Sequence, residues 1–221
     1  MTQPTLPLLY SFRRCPYAMR ARLGLYLAGI DVELREIELK AKPEHMLELN
    51  PVGTVPTLQF SDGQVNSESL EIMIYALEQA QSNLLDNLEA SLELISINDG
   101  PFKKSLDGYK YPQRNLDKTE QQHRQDALEF ALLLNSKLTN GPYLQGTKAS
   151  LADFAIAPFI RQFAHVDRAW FDGLDLKPLQ TWLEQFKQSE AFLKVMPKFE
   201  PYLKNGKRYS LLTGEEITDN G

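Results

Sequence analysis

The dipeptide Asp62-Gly63 does most to narrow the fold, because it is the composition of a two-residue hairpin turn, and such a turn joins its strands antiparallel. The runs Leu6 to Ser11, Val32 to Leu39 and Thr57 to Phe60 read as strands by length and alternation. Between the first two, Ala18, Ala21, Leu25 and Ala28 recur on one helical face until Gly29 stops the pattern. Strand, helix and strand in succession make a parallel unit, so a chain that also contains the hairpin needs a mixed sheet. A short helix over Pro43 to Leu49, a strand near Gln64 and Val65, and a helix from Glu68 to Gln79 with Ile72 and Leu77 inward complete the order β-α-β-α-β-β-α.

Beyond Ala80 the period changes. Gln81 to Asp86 reads as a linker, and long helical periods follow, notably Asp117 to Leu138 and Leu151 to Phe163. Asn98-Asp99-Gly100-Pro101 is expected to break the first of these helices. Ser150-Leu151-Ala152-Asp153 has the form of a capping box and is assigned to folding. The expected organisation is an α/β domain over 1–80, a linker at 81–86, an all-helical domain over 87–204, and a polar, loosely held tail over 205–221. A chain of 221 residues is long enough for two cores.

Several chemistries are excluded early. With 24 basic against 29 acidic residues and no long basic run, nucleic acid is not an expected partner. No apolar stretch approaches the roughly 20 residues that span a bilayer, and no basic segment precedes the apolar residues of Met1 to Tyr10. No membrane partner is therefore expected, and a cytoplasmic setting is. His45, His123 and His165 lie far apart without ligand spacing, so no metal is expected. Phosphate loops, dinucleotide fingerprints and hydrolase elbows are absent from the sequence.

One cysteine excludes an internal disulfide and leaves a lone thiol to be explained. An unpaired cysteine is as readily a buried filler as a reactive group. Cys15, however, falls where the first strand hands over to the first helix, with Pro16 suited to the opening helical position. There the free N–H groups and the positive end of the helix favour a thiolate, and Arg13, Arg14 and Arg20 add positive charge. Lowering a thiol by about two pKa units requires roughly 2.7 kcal/mol, whereas a helix terminus typically supplies about 0.3 to 1. Arginine or direct N–H···S bonds must supply the rest. The turn resembles that of glutaredoxins and thioredoxins, except that Ala18 stands where a resolving cysteine would be. A mixed disulfide at Cys15 then needs an external thiol for its release, and glutathione is the abundant cytosolic one.

Other segments suit such a ligand. Pro56 precedes a strand; a cis bond there would turn the Val55 backbone outward to pair with an extended peptide, although a trans loop proline is the commoner state. Glu68-Ser69 opens a helix and would receive a carboxylate and an ammonium, or act merely as capping residues. Lys42, before Pro43, would ordinarily be solvated.

In order and spacing, Cys15-Pro16-Tyr17, Lys42-Pro43-Glu44, Asn50 to Pro56 and Glu68-Ser69 resemble the amino-terminal domain of omega-class glutathione transferases, through Leu6 to Gln79. The resemblance implies a thioredoxin-like domain with a mixed sheet followed by a helical domain, the glutathione transferase fold. It implies Cys15 as nucleophile, Val55 pairing with the cysteinyl backbone of glutathione beside Pro56, Glu68 and Ser69 on the γ-glutamyl end, and Lys42 on the glycyl carboxylate. Tyr17 borders that site and stands where the family has phenylalanine. Zeta-class transferases place serines around this strand end, whereas Arg13 and Arg14 precede Cys15 here. Phe102, Lys103, Tyr109 and Tyr111, clustered after the helix break, are the candidates for contact with a second substrate.

The implied activity is glutathione-dependent thiol transfer, including deglutathionylation and dehydroascorbate-type reduction, by a homodimer. Two alternatives stand beside it. One is conjugation of glutathione to electrophiles. The other is a non-enzymatic interaction protein, as the stringent starvation proteins of bacteria resemble transferases yet act by binding RNA polymerase.

Overall fold

The computed structural model describes residues 6–218. The first half of the Met1 to Tyr10 stretch and the last three residues of the expected tail lie outside the described residues. The chain divides into two compact units, one of residues up to 82 together with those from 189 onward, the other of residues 83–188.

In the first unit β1 (Leu8–Ser11), α1 (Pro16–Leu27) and β2 (Glu33–Glu36) form the parallel unit, with Leu9 opposite Leu34. After α2 (Glu44–Leu49), β3 (Thr57–Gln59) runs antiparallel to β1, and β4 (Val65–Asn66) returns antiparallel to β3 through the Asp62-Gly63 turn. α3 (Ser69–Gln79) follows. The sheet is mixed, as the hairpin requires.

α1 is buried nearly all round, from Pro16 through Leu25, because it is covered by α3 and by a later helix of the same unit, α10 (Glu190–Val195). Its approach to α3 depends on Gly24: a Cβ there would lie 2.6 Å from Met73 Cα. Gly24→Ala forces backbone apart in a packed core and is expected to cost about 3 kcal/mol, the upper end of typical overpacking, read as a lower denaturant midpoint.

The second unit is helical: α4 (Leu88–Ile97), α5 (Lys103–Lys110), α6 (Glu120–Lys137), α7 (Leu151–Ala164), α8 (Arg168–Asp172) and α9 (Lys177–Gln188). The expected break at Asn98 to Pro101 is instead a π-helical turn, Asn98–Phe102, that runs α4 into α5. Pro101 has no N–H for an ordinary helical bond. The wider turn absorbs this, and Lys103 N–H reaches back to Asn98 O. α6 starts with Thr119 and Gln122 bonding each other's backbone.

The expected boundaries of the helical domain and the tail need correction. From Ser189 the chain returns to the first unit. α10 (Glu190–Val195) packs on α1, α11 (Tyr202–Asn205) follows, and β5 (Tyr209–Ser210) pairs antiparallel with β2, giving the order β4-β3-β1-β2-β5. The stretch expected to be loose is pinned by Asp31, whose carboxylate accepts from Ser210 Oγ at 2.8 Å and Leu212 N–H at 3.1 Å. Leu211 is buried and Phe199 stacks on Tyr209 at 4.2 Å. Polar composition concealed the strand because it is two residues long and its partner β2 is distant in the sequence.

Candidate functional site

Strand register brings the separate sequence motifs to one end of the sheet. β2 runs parallel to β1, while β3 enters antiparallel with Thr57 opposite Tyr10. Cys15 after β1, Lys42 after β2, Pro56 before β3 and Glu68 after β4 therefore all issue from that end.

Cys15 is the N-cap of α1, with extended backbone at φ −77° and ψ 124° and Pro16 in the first helical position. Its N–H bonds Phe12 O at 2.9 Å, and its own carbonyl accepts the first helical bond, from Met19 at 2.9 Å. No acidic residue sits in the first turn to oppose the positive helix end. The thiol is half-buried and donates to Val55 O at 3.7 Å. Arg20, on the buried face, places its guanidinium 5.7 Å from the Tyr17 ring centre.

The Val55–Pro56 bond is cis, the rarer of the two states open to the sequence. Its loop is held by Asn50, whose Nδ2 reaches Thr54 O at 3.3 Å, Thr54 Oγ1 at 3.0 Å and Thr57 Oγ1 at 3.0 Å. Thr57 Oγ1 in turn donates to Thr54 O at 2.9 Å. Gly53 turns with φ +68°, and a Cβ there would meet Lys42 Nζ at 2.9 Å. The Lys42 ammonium thus lies against the loop that presents Val55, and any side chain at 53 would displace it.

At the start of α3 the N-cap is Glu68, not Ser69, and its exposed side chain makes no capping bond. Its N–H is taken by Asn66 Oδ1 at 2.8 Å. Ser69 is buried in the first helical position. The capping alternative for Glu68 therefore lacks its hydrogen bond.

The second-substrate candidates fare differently. Phe102 and Tyr109 are only 2% and 3% exposed. Phe102 packs on Phe130 and Phe163, with ring centres 4.9 and 5.7 Å apart, and Tyr109 on Phe163 and Trp170 at 6.0 and 6.2 Å. Both are corrected to core residues of the helical unit, because the chain stays helical through the π-helical turn and their rings pack among Phe130, Phe163 and Trp170. Lys103 pairs with Asp107 one turn on, and Tyr111 at the end of α5 lies between Lys110 and Arg114, each 5.0 Å from its ring centre.

Two supports escaped the sequence reading. One is Asn50, legible only as a polar residue before a proline. The other is Arg22, buried beneath the Cys15 turn with Glu36. An arginine on the face that also buries Ala18 and Leu25 was the available signal.

A half-buried thiol at a strand-to-helix junction, beside a cis-proline loop on a mixed sheet, defines a thioredoxin-like fold with a single cysteine at that junction. Comparison with known proteins narrows the class. Residues 9–84 match the glutathione S-transferase N-terminal domain. Glutathione S-transferase omega-1 of Mus musculus is 32% identical over 202 residues, covering 85% of this chain and 75% of that one. The stringent starvation protein A homolog of Haemophilus influenzae is 22% identical over 206 residues, covering 87% of this chain and 91% of its own. A glutathione transferase family member from Pseudomonas fluorescens, solved with two glutathione bound, shares the fold with TM-score 0.75 at 17% identity, over 88% of this chain and 93% of that one. The chain belongs to the glutathione S-transferase family and is omega-like.

Proposed function

We propose that the protein is a glutathione-dependent thiol transferase and reductase working through a mixed disulfide between Cys15 and glutathione. The supporting observation is one thiol, half-buried at the N-cap of α1 and 3.7 Å from Val55 O, with Ala18 where a resolving cysteine would have to stand. The Cys15 thiolate attacks the glutathionyl sulfur of a mixed disulfide R–S–S–G; that S–S bond breaks, RS⁻ leaves with its electron pair, and Cys15–S–S–G forms. The thiolate of a second glutathione attacks the bound glutathionyl sulfur, giving glutathione disulfide and restoring the Cys15 thiolate. Dehydroascorbate-type reduction passes through the same intermediate, with two glutathiones supplying two electrons.

In this reading Lys42 meets the glycyl carboxylate, the Val55 backbone beside Pro56 pairs with the cysteinyl residue, and Tyr17 borders the thiol. Glu68 takes the γ-glutamyl ammonium, and Ser69 with the free N–H groups of α3 takes its carboxylate. Lys103 and Tyr111 remain the candidates for the second substrate. Conjugation to electrophiles is secondary, since a cysteine itself enters disulfide exchange whereas conjugating relatives use a hydroxyl to stabilise the glutathione thiolate. A homodimer and a cytoplasmic setting belong to the same proposal and rest on family likeness alone.

The similarity to the stringent starvation protein A homolog favours a second reading, an interaction protein that has kept the fold. Calorimetric titration with glutathione separates the two. Saturable binding is expected, weakened about tenfold, or ~1.4 kcal/mol, in Ser69→Ala, which loses a hydrogen bond to a charged group. No heat of binding to the wild-type protein would overturn the enzymatic reading.

A further inference from the structure

The Cys15 turn rests on a buried ion pair that the reaction above does not use. Arg22, seven residues into the chain from Cys15, has no exposed side-chain surface, and Glu36 at the end of β2 is 6% exposed. Every arm of the guanidinium is engaged: Nε donates to Ser11 Oγ at 2.7 Å, Nη1 to Val195 O at 3.2 Å, and Nη2 pairs with Glu36 Oε2. The other Glu36 oxygen, Oε1, accepts the Arg13 N–H at 2.7 Å. The pair thus ties together the last residue of β1, the turn before Cys15, the end of β2 and the end of α10.

We propose that Arg22 and Glu36 are positioning residues for Cys15, a clamp that fixes the presenting turn and acts on the thiol's charge in opposite directions, Arg22 favouring the thiolate and Glu36 opposing it. This rests on the role given to Cys15 above. Geometry supplies the first part, because the turn's N–H and both flanking strand ends are bonded to the pair. For the second part, burial pushes the Arg22 guanidinium below its ordinary value, Glu36 holds it up against that, Arg13 adds to the lowering, and Cys15 gives a smaller upward pull. That attraction is reciprocal, and an arginine stays protonated throughout the working range. Cys15 packs against the buried cluster formed by Tyr10, Ala18, Ile37, Met46 and Val55. The other titratable groups on these elements are Arg13 and Arg14 in the turn, Tyr17, Arg20 and Tyr26 on α1, Tyr10 on β1, Glu33 and Arg35 on β2, Glu44, His45 and Glu48 on α2, and Glu190 and Lys194 on α10, with His45 Nδ1 bonded to Tyr10 Oη at 3.0 Å.

The clamp is tested by the rate of iodoacetamide alkylation of the full chain from about pH 5 to 9. At about pH 6, Arg22→Met is expected to react about fivefold more slowly than wild type, and Glu36→Gln about fivefold faster, the rates converging near pH 9 where the thiol is ionised in all. Arg22→Lys, which keeps the charge, is expected to stay within about twofold. A merely structural pair would move both profiles the same way or neither, and either result would overturn the proposal. Breaking a buried pair strands a charge, so far-ultraviolet dichroism and a denaturant midpoint accompany each variant. If the single variants do not fold, the apolar double variant Arg22→Met with Glu36→Leu decides. It is expected to recover the midpoint with a rate at about pH 6 within about twofold of wild type, the two opposed effects offsetting; a recovered midpoint with a rate displaced about fivefold in either direction would refute the proposal. Alkylation needs no glutathione, so failure of wild-type glutathione turnover sinks the proposed function separately.

Discussion

Cys15→Ser is expected to lower glutathione-dependent thiol transfer by at least about a thousandfold while leaving the fold in place. A serine hydroxyl is not ionised at neutral pH and cannot form the mixed disulfide, so the covalent route is removed and not merely slowed. The structural cost is small, because the sulfur is half-buried and its contact with Val55 O is long, at 3.7 Å. The denaturant midpoint should correspond to a change within about 1 kcal/mol. Glutathione affinity should also persist, since the residues assigned to its two carboxylates, Lys42 and Ser69, are untouched. Incubating the wild-type protein with glutathione disulfide should leave a single glutathionyl adduct, visible by mass spectrometry and mapped to Cys15. Transfer retained by Cys15→Ser would refute the nucleophile. A variant that lost transfer but gained conjugation would support it, because the hydroxyl would then stabilise the glutathione thiolate as it does in conjugating relatives.

The parts of this site that could be read from sequence are those set by local backbone chemistry. Asp62-Gly63 fixed a hairpin and with it a mixed sheet, and Cys15-Pro16 marked a helix start, because each dipeptide admits few conformations. The isomer at Pro56 stayed open, since its state depends on the Asn50, Thr54 and Thr57 bonds that close the loop around it. Phe102 and Tyr109 were misread because Gly100-Pro101 suggests a break, whereas the chain continues as helix through a π-helical turn and both rings are packed in the core. β5 was invisible for a related reason. Its partner β2 lies 175 residues earlier along the Arg208–Glu33 bond, and no local pattern signals so distant a pairing. Arg22 shows the same limit: its burial is tolerable only with Glu36, 14 residues away, on the neighbouring strand.

Asp153→Ala is expected to destabilise the helical unit by about 4 kcal/mol, the largest stability effect of any single change proposed for this protein. The Asp153 carboxylate is 5% exposed. Its Oδ1 accepts from Leu144 N–H and Trp182 Nε1, each at 2.9 Å, and its Oδ2 from Ser150 N–H and Ser150 Oγ, each at 2.9 Å. The sequence showed only the capping contact with Ser150. The structure adds the turn before α7 and the indole on α9, so one side chain joins three segments of the unit. Alanine leaves these donors buried without an acceptor, at about 1 to 3 kcal/mol each before relaxation. Asp153→Asn keeps one oxygen for Leu144 and Trp182 but turns an NH2 toward Ser150, and about half the loss is expected. The two forms should also differ in pH dependence. Burial pushes the Asp153 carboxyl above its ordinary value of 3.8, against the pull of its donors. Between 3.8 and that raised value the folded state holds a proton that the unfolded chain has released. Asp153 therefore contributes most below the ordinary value, and its contribution falls as pH rises through the window. Denaturant midpoints of wild type and Asp153→Asn, compared from about pH 3.5 to 7, should draw closer as pH rises. A gap that widened instead would mean that the donors outweigh burial and that the carboxylate, not the acid, is the form the fold prefers.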